Sequence, residues 1–193
     1  MTSSGYYDEN ADAFIAQTVS ADMSALYARF LEHIPVGGSI LDAGSGSGRD
    51  AAWFRAAGYE VEAFDASLAM VEATRRHARV PVYHMEFEEF RSPRTYDGIW
   101  ACASLLHVRR AELGGVIRRL LQALNAGGCL YCSFKHGDAE RRVEERYFNY
   151  MDEARLRAVV EQAPGRMLDI WITGDVRPGR SGEKWLNALI QRR

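Results

Sequence analysis

Leu41-Asp42-Ala43-Gly44-Ser45-Gly46-Ser47-Gly48 is the stretch that decides the fold of this 193-residue chain. Residues 39–42 at its start are a short apolar run of strand character. Residues 51–57 behind it read as a helix, closed by Gly58 where left-handed backbone is favoured. A strand that passes through glycines into a helix lets backbone come close to a ligand, because no Cβ intervenes and positive φ is open. A dinucleotide site would be written G-x-G-x-x-G, with its third glycine at position 49 and a pyrophosphate on the helix N-terminus. Position 49 is Arg49. The spacing is G-x-G-x-G, with the acid Asp42 two residues upstream, and a carboxylate there repels phosphates and suits a ligand that carries an ammonium group.

On either side the chain alternates between strand and helix patterns. Residues 9–18 and 22–33 read as helices ahead of Pro35 and Gly37-Gly38. Strands are expected at 59–64, 80–84, 96–103 and 129–134, with helices at 67–78 and over the stripe Leu113, Val116, Ile117, Leu120, Leu121 and Leu124. A charged stretch covers 138–146, a helix 152–161, and closing strands 167–172 and 184–190. Such alternation predicts a parallel sheet with helices on both faces and ligands at the carboxyl ends of its strands. The positions to inspect are the turn after Asp42, Asp65, the segment after His84, residues 104–107, and Lys135-His136.

Composition narrows the class. There are 24 basic and 26 acidic side chains, a formal charge of −2, and 47% hydrophobic residues, the values of an ordinary globular domain rather than a disordered or fibrous chain. No base precedes Arg29, and the longest uncharged run, 120–134, is too short and too polar to span a bilayer. A cytoplasmic protein with no membrane partner is the expectation. Cys102, Cys129 and Cys132 leave an odd thiol, which fits a reducing compartment. On a strand Cys129 and Cys132 point to opposite faces, so neither a metal site nor a redox pair is expected.

Four motifs in order carry a family resemblance. Leu41 to Gly48 is joined by Phe64-Asp65-Ala66-Ser67, by Tyr96-Asp97-Gly98-Ile99-Trp100-Ala101-Cys102-Ala103-Ser104-Leu105-Leu106-His107-Val108, and by Leu124-Asn125-Ala126-Gly127-Gly128-Cys129-Leu130. Together they resemble the class I S-adenosylmethionine-dependent methyltransferases, with Ala126 where those enzymes usually have proline. Tyr6 to Phe14, the tail from Gly174 to Arg180 and the run from Glu183 to Ile190 are similar to small bacterial methyltransferases labelled tellurite-resistance proteins. The resemblance implies an α/β Rossmann-like fold: a mostly parallel seven-stranded sheet, helices on both faces and an N-terminal helical cover. It also implies one domain, with the cover at 1–36, a cofactor-binding core at 37–136 and a part completing the sheet at 137–193.

The same resemblance implies the cofactor S-adenosylmethionine and a set of residues to hold it. Asp42, Gly44, Gly46 and Gly48 would meet its methionine part, and Asp65 its ribose hydroxyls, each carboxylate oxygen taking one hydroxyl proton. Ala66, Met70, Glu86 and Phe87, with Met85, would flank the adenine. For Asp42 the other reading is a satisfied buried turn carboxylate, a cationic or amide partner being expected either way, and for Asp65 a helix cap that Ser67 can supply instead. His107, after the fourth strand, is either a substrate-facing base or the cap of the following helix. His136 and Lys135 take the equivalent place after the fifth strand. Tyr6 and Tyr7 either close over the cleft or pack on the sheet, and Tyr147 is a further candidate for the acceptor wall. Asp175, Arg177 and Trp185 either join the site or pair the last two strands.

The chemistry implied is in-line displacement of a sulfonium methyl, which requires alignment and exclusion of water more than acid-base work. A thiol or chalcogen oxyanion acceptor needs no base, whereas a hydroxyl or amine would call on His107. A small-molecule acceptor is expected and nucleic acid is not, since bases cluster only in short groups such as Arg75-Arg76 and Arg141-Arg142. Two alternatives share the pattern: an NAD(P)-dependent oxidoreductase, against which Asp42 and Arg49 argue, and a non-catalytic S-adenosylmethionine-binding protein.

Overall fold

The structure, a computed structural model, describes residues 3–177, 179–180 and 182–193; Pro178 of the tail motif lies outside them. Seven strands form one sheet in the order β3-β2-β1-β4-β5-β9-β8. They are β1 (Ser39–Ala43), β2 (Glu60–Asp65), β3 (Val82–His84), β4 (Tyr96–Ala101), β5 (Leu124–Lys135), β8 (Gly165–Gly174) and β9 (Lys184–Arg192). The first five are mutually parallel, and β9 alone runs against the rest. This is the α/β, mostly parallel seven-stranded arrangement anticipated from the motifs.

Side-chain alternation along the central strands builds two cores. Leu41, Ile99, Leu130 and Cys132 face α6 (Arg110–Gln122) and α7 (Glu153–Glu161). Ile40, Trp100, Cys129 and Tyr131 face α3 (Ser24–Leu31) and α4 (Arg49–Ala56). Cys129 and Cys132 thus lie in opposite cores, unpaired. The α6 stripe from Leu113 to Leu121 is fully buried. Each of those side chains stabilises the fold by roughly 2 kcal/mol relative to exposure, which offsets a good part of the ordering of a helix that has no side-chain cap. On the far side, α5 (Leu68–Ala78) starts from Ser67, whose hydroxyl accepts the Met70 amide at 3.2 Å.

Two segments depart from the sequence reading. The single helix expected at 9–18 is a pair, α1 (Ser3–Glu9) and α2 (Ala11–Thr18), because Asn10 leaves helical geometry (φ −116°, ψ 22°) and turns its amide side chain back to the Tyr6 carbonyl at 2.9 Å. The charged stretch 138–146, to which the sequence pattern assigns no element, is ordered. It contributes to a hairpin of β6 (Glu140–Val143) and β7 (Arg146–Asn149), turned at Glu144-Glu145 with Glu144 at φ 55°. Among the described residues no helix is long and apolar enough to cross a membrane.

The strand order reverses between β1 and β4, and a crevice opens at the carboxyl ends on both sides of that point. Helices α1 and α2 and the β6–β7 hairpin close over it.

Candidate active site

The crevice is a cavity of about 1780 Å³, well above the several hundred Å³ that hold one small ligand. Its floor is the edge of the sheet and its roof is the N-terminal pair of helices with the hairpin. Gly44, Gly46, Asp65, Ala66, Met70, Glu86 and Phe87 line one end. Tyr6, Tyr7, His107 and Tyr147 line the other. Asp42, Gly48 and His136 lie outside its wall.

The glycine turn is built for close approach. Gly44, Gly46 and Gly48 have φ of 80°, 53° and 78°, and a Cβ on Gly44 would come within 2.4 Å of the Ser104 Cβ. The turn is pinned by the Gly44 and Ser45 amides, which donate to the Phe64 carbonyl at 2.9 and 3.1 Å. Gly48 serves packing instead, since a Cβ there would meet the Thr74 Cα of α5 at 2.8 Å.

Asp65 ends β2 inside the cavity. Its Oδ2 accepts the Gly46 amide at 2.8 Å and its Oδ1 the Ser67 amide at 2.9 Å. Burial raises its pKa, and those amides act in the opposite direction. Two amides use about half of the roughly four acceptor positions of a carboxylate, so the remainder suit a vicinal diol. Ser67 is the helix cap, which leaves that role unneeded for Asp65. Asp8 of α1, within the Tyr6–Phe14 stretch but given no role there, accepts the Ser67 hydroxyl at 2.6 Å and the Ala69 amide at 3.1 Å, tying the cover to this end. A turn open to backbone contact beside a carboxylate with lone pairs to spare fits an amino acid–nucleoside cofactor.

Asp42 is 1% exposed and turns into the core, where Oδ2 accepts the Ala51 amide at 3.1 Å. Burial and the neighbouring Asp50 push its carboxyl well above the usual carboxylate range. Asp50 goes the other way: burial opposes its charge, but the Arg49 guanidinium at 2.6 and 2.9 Å and donors from Tyr27 (2.5 Å) and Trp100 (2.9 Å) outweigh it and hold the pKa low. Arg49 reaches on to the Thr18 carbonyl at 3.2 Å, linking the glycine turn to α2. Arg49 and Asp50 both line the cavity. Their adjacency just after Gly48 is the sequence signal of this pair.

At the other end His107 sits in a short 3-10 turn, Leu105–His107, after β4. Its Nδ1 lies 2.7 Å from the Tyr147 carbonyl, which can only accept, so Nδ1 carries the proton and Nε2 accepts the Tyr7 hydroxyl at 2.9 Å. Burial lowers the imidazole pKa to about 4, with Arg146 and Lys135 adding to the shift against the Tyr147 bond. Burial likewise raises Tyr7 to about 12. His107 is therefore neutral and is not the cap of α6, whose preceding residue is Arg109. The Tyr147 hydroxyl donates to Glu140, and its amide donates to Ser3 Oγ at 3.1 Å, so its backbone, not its ring, meets His107. His136 turns away to Glu153 at 3.2 Å, a departure from its expected place beside the acceptor. Asp175 accepts both Arg177 (2.9 and 2.5 Å) and Trp185 (3.1 Å) and lines the cavity with them, so strand pairing and wall coincide.

Comparison with known proteins agrees with this geometry. A family model described as a methyltransferase domain matches residues 15–164. No curated protein sequence matches the chain. Among solved structures, the 1,6-didemethyltoxoflavin-N1-methyltransferase of Burkholderia thailandensis, with 1,6-didemethyltoxoflavin and S-adenosylhomocysteine bound, superposes with a TM-score of 0.77 at 22% identity, over 97% of this chain and 84% of that one. The cyclase SpnF gives 0.76 at 17% identity, over 99% and 96%. Magnesium protoporphyrin IX methyltransferase from Synechocystis PCC 6803, with bound SAM, gives 0.75 at 16% identity, over 98% and 95%. At these identities the likeness is one of fold.

Proposed function

Since the chain belongs to the methyltransferase-domain family, we propose that it transfers the methyl group of S-adenosylmethionine to a small-molecule acceptor inside this cavity. The observation that carries the reading is the joining, in one cavity, of a glycine turn with no room for a Cβ at Gly44 and a part-buried Asp65 whose carboxylate is half used. Bound there, S-adenosylmethionine supplies a methyl group already activated by its sulfonium. Backbone at Gly44 and Gly46 receives the amino-acid part, and Asp65 receives the ribose diol. Ala66, Met70, Glu86 and Phe87 flank the base. Asp42 acts indirectly, bracing the first turn of α4 below the glycines.

What remains for the protein is alignment and exclusion of water. Tyr6 and Tyr7 cover the reacting region, and Tyr7 is oriented by His107. An imidazole with pKa about 4 takes a proton poorly near neutral pH, which favours an acceptor that arrives as a nucleophile. A thiolate or a chalcogen oxyanion, the acceptors suggested by the tellurite-resistance resemblance, satisfies that condition. The three unpaired thiols support a cytoplasmic setting.

The test is calorimetric titration with S-adenosylmethionine, S-adenosylhomocysteine and oxidised NAD, followed by transfer of labelled methyl to thiols, chalcogen oxyanions, amines and organic acids. Saturable binding of the two adenosyl ligands, weakened about tenfold or more by Asp65→Asn, is expected, since each lost bond to a charged group is worth a factor of that order. Saturable binding of NAD alone would sink the reading. Cofactor binding without transfer to any acceptor in the panel would leave a binding protein rather than an enzyme.

A further inference from the structure

We propose that the acceptor is an organic anion, a carboxylate or phosphate on an apolar body, held by Lys135 and Arg146 beside the ring of Phe148. The proposal rests on the methyltransferase reading for the word acceptor, but its geometry stands apart from the cofactor end. Lys135 Nζ lies 5.3 Å and Arg146 Cζ 5.4 Å from the centre of the Phe148 ring, and the His107 ring is 5.1 Å from it. Two cations therefore flank one buried aromatic face next to the neutral imidazole. Their side chains are only 19% and 21% exposed; Glu144, the partner of Arg146, is 58% exposed and lies toward solvent, whereas Glu183 pairs with Lys135 at 2.8 Å through an oxygen that is itself shielded from solvent.

Arg146 also has a donor to spare. Its Nε is shielded from solvent and has no hydrogen-bond partner among the described residues. The guanidinium lies 4.1 Å from the centre of the Tyr6 ring and gives one Nη to Glu144 at 2.8 Å. A small shift of the side chain that opened this donor to the cavity would let a ligand oxygen pair it.

Charge along the cavity is segregated in the same sense. The described lining residues from 135 onward include six bases against four acids, while the segments bearing Asp65, Glu86 and Glu88 bring acids and no base. A field of that shape draws an anion to the hairpin end and away from the ribose end. Of the acceptors named above this favours an organic thiolate that also bears such an anion over a bare chalcogen oxyanion, which would leave most of the roof unused, since Tyr6, Phe148 and Trp185 present apolar area beside the cations.

The experiment titrates S-adenosylhomocysteine-loaded protein with benzoate, phenyl phosphate and uncharged benzamide, in wild type and in Arg146→Gln and Lys135→Met. At least one of the two anions should bind and benzamide should not. Each variant should weaken the anion by about tenfold or more while homocysteine-cofactor affinity stays within about twofold, as removal of one charge-assisted contact predicts. Preference for benzoate or for phenyl phosphate assigns the head group. Equal binding of benzamide, binding unchanged in both variants, or no binding of either anion overturns the proposal. If Arg146→Gln fails to fold, Lys135→Met decides by the same criteria. The anions are also titrated into cofactor-free protein, so loss of cofactor binding would overturn the methyltransferase reading while the anion results still judge the cation pair.

Discussion

Tyr7 Oη donates to His107 Nε2 over 2.9 Å, a bond between residues one hundred positions apart that fastens the cover helix α1 to the turn after β4. The Tyr7 ring also packs edge-on against Phe14 at 4.9 Å, so removing the hydroxyl alone separates the latch from the packing. Tyr7→Phe should cost about 1–2 kcal/mol, the loss of one bond plus a bare buried acceptor. Hydrogen exchange should quicken over residues 3–18, and S-adenosylhomocysteine should bind more weakly. Unchanged exchange there would show that the hydroxyl does not hold the cover.

The same histidine makes a pH signature. Its folded pKa of about 4 lies below the ordinary 6.5, so between those values the unfolded chain binds a proton that the folded chain refuses. Stability then rises with pH across the window and is lost as pH falls from about 6.5 to about 4, by up to roughly 3 kcal/mol. Tyr7, Arg146 and Lys135 face the ring, and none of them gains a proton on acidification from neutral pH. Asp42 and Asp65, raised by burial, pull the other way, because the folded state keeps their protons longer. The readout is therefore the difference between wild type and His107→Gln in urea unfolding at pH 7 and pH 5. A variant as acid-sensitive as wild type would contradict a buried neutral His107.

What the amino-acid pattern discloses here follows from what each force leaves in one dimension. Burial of one helix face is periodic, so Leu113 to Leu121 mark α6, and alternation of elements implies a parallel sheet with helices on both faces. Backbone approach demands glycine, so the 44–48 turn was legible, and so was Asp65 at the end of an apolar strand. Contacts made across the cavity leave no period. Tyr7 meets His107, Arg146 covers Tyr6, and Asp8 reaches Ser67 only after the chain has folded. The β6–β7 hairpin hid because its Glu144-Glu145 turn lacks the Asn-Gly or Asp-Gly that usually marks a two-residue connection, and Glu144 takes positive φ without that help. Asp42 was legible as an acid needing a partner, but not that its partner would be the Ala51 amide.

The two cavity-lining glycines of the turn should respond differently to alanine. Gly44→Ala places a Cβ 2.4 Å from the Ser104 Cβ at φ 80°, so overpacking adds to backbone strain and about 3 kcal/mol or more should be lost. Gly46→Ala meets only the rim of the Phe14 ring at 3.3 Å, at φ 53°, where an L residue is tolerated for about 1 kcal/mol. Denaturant titration of both, with S-adenosylhomocysteine affinity alongside, checks the order. Equal losses would mean that the Ser104 contact yields more easily than its geometry indicates.

Asp50 offers the sharpest stability test, because it is the single anion on which three buried donors converge. Arg49, Tyr27 and Trp100 all bond to it, from α4, α3 and β4 in turn. In Asp50→Ala the Arg49 charge keeps its low exposure but loses its counterion, the arrangement in which breaking a buried pair costs about 3–5 kcal/mol. Asp50→Asn keeps the shape and an acceptor for the tyrosine or the indole, so its cost should be smaller. Both variants remove the negative charge that helps hold the Asp42 proton, so the Asp42 pKa should move down toward the ordinary carboxylate range. Urea unfolding measures the first effect and carboxyl-resolved NMR titration the second. If Asp50→Ala lost no more than a surface substitution does, Arg49 would have found another partner, and the link from the glycine turn through Arg49 to α2 would not depend on Asp50.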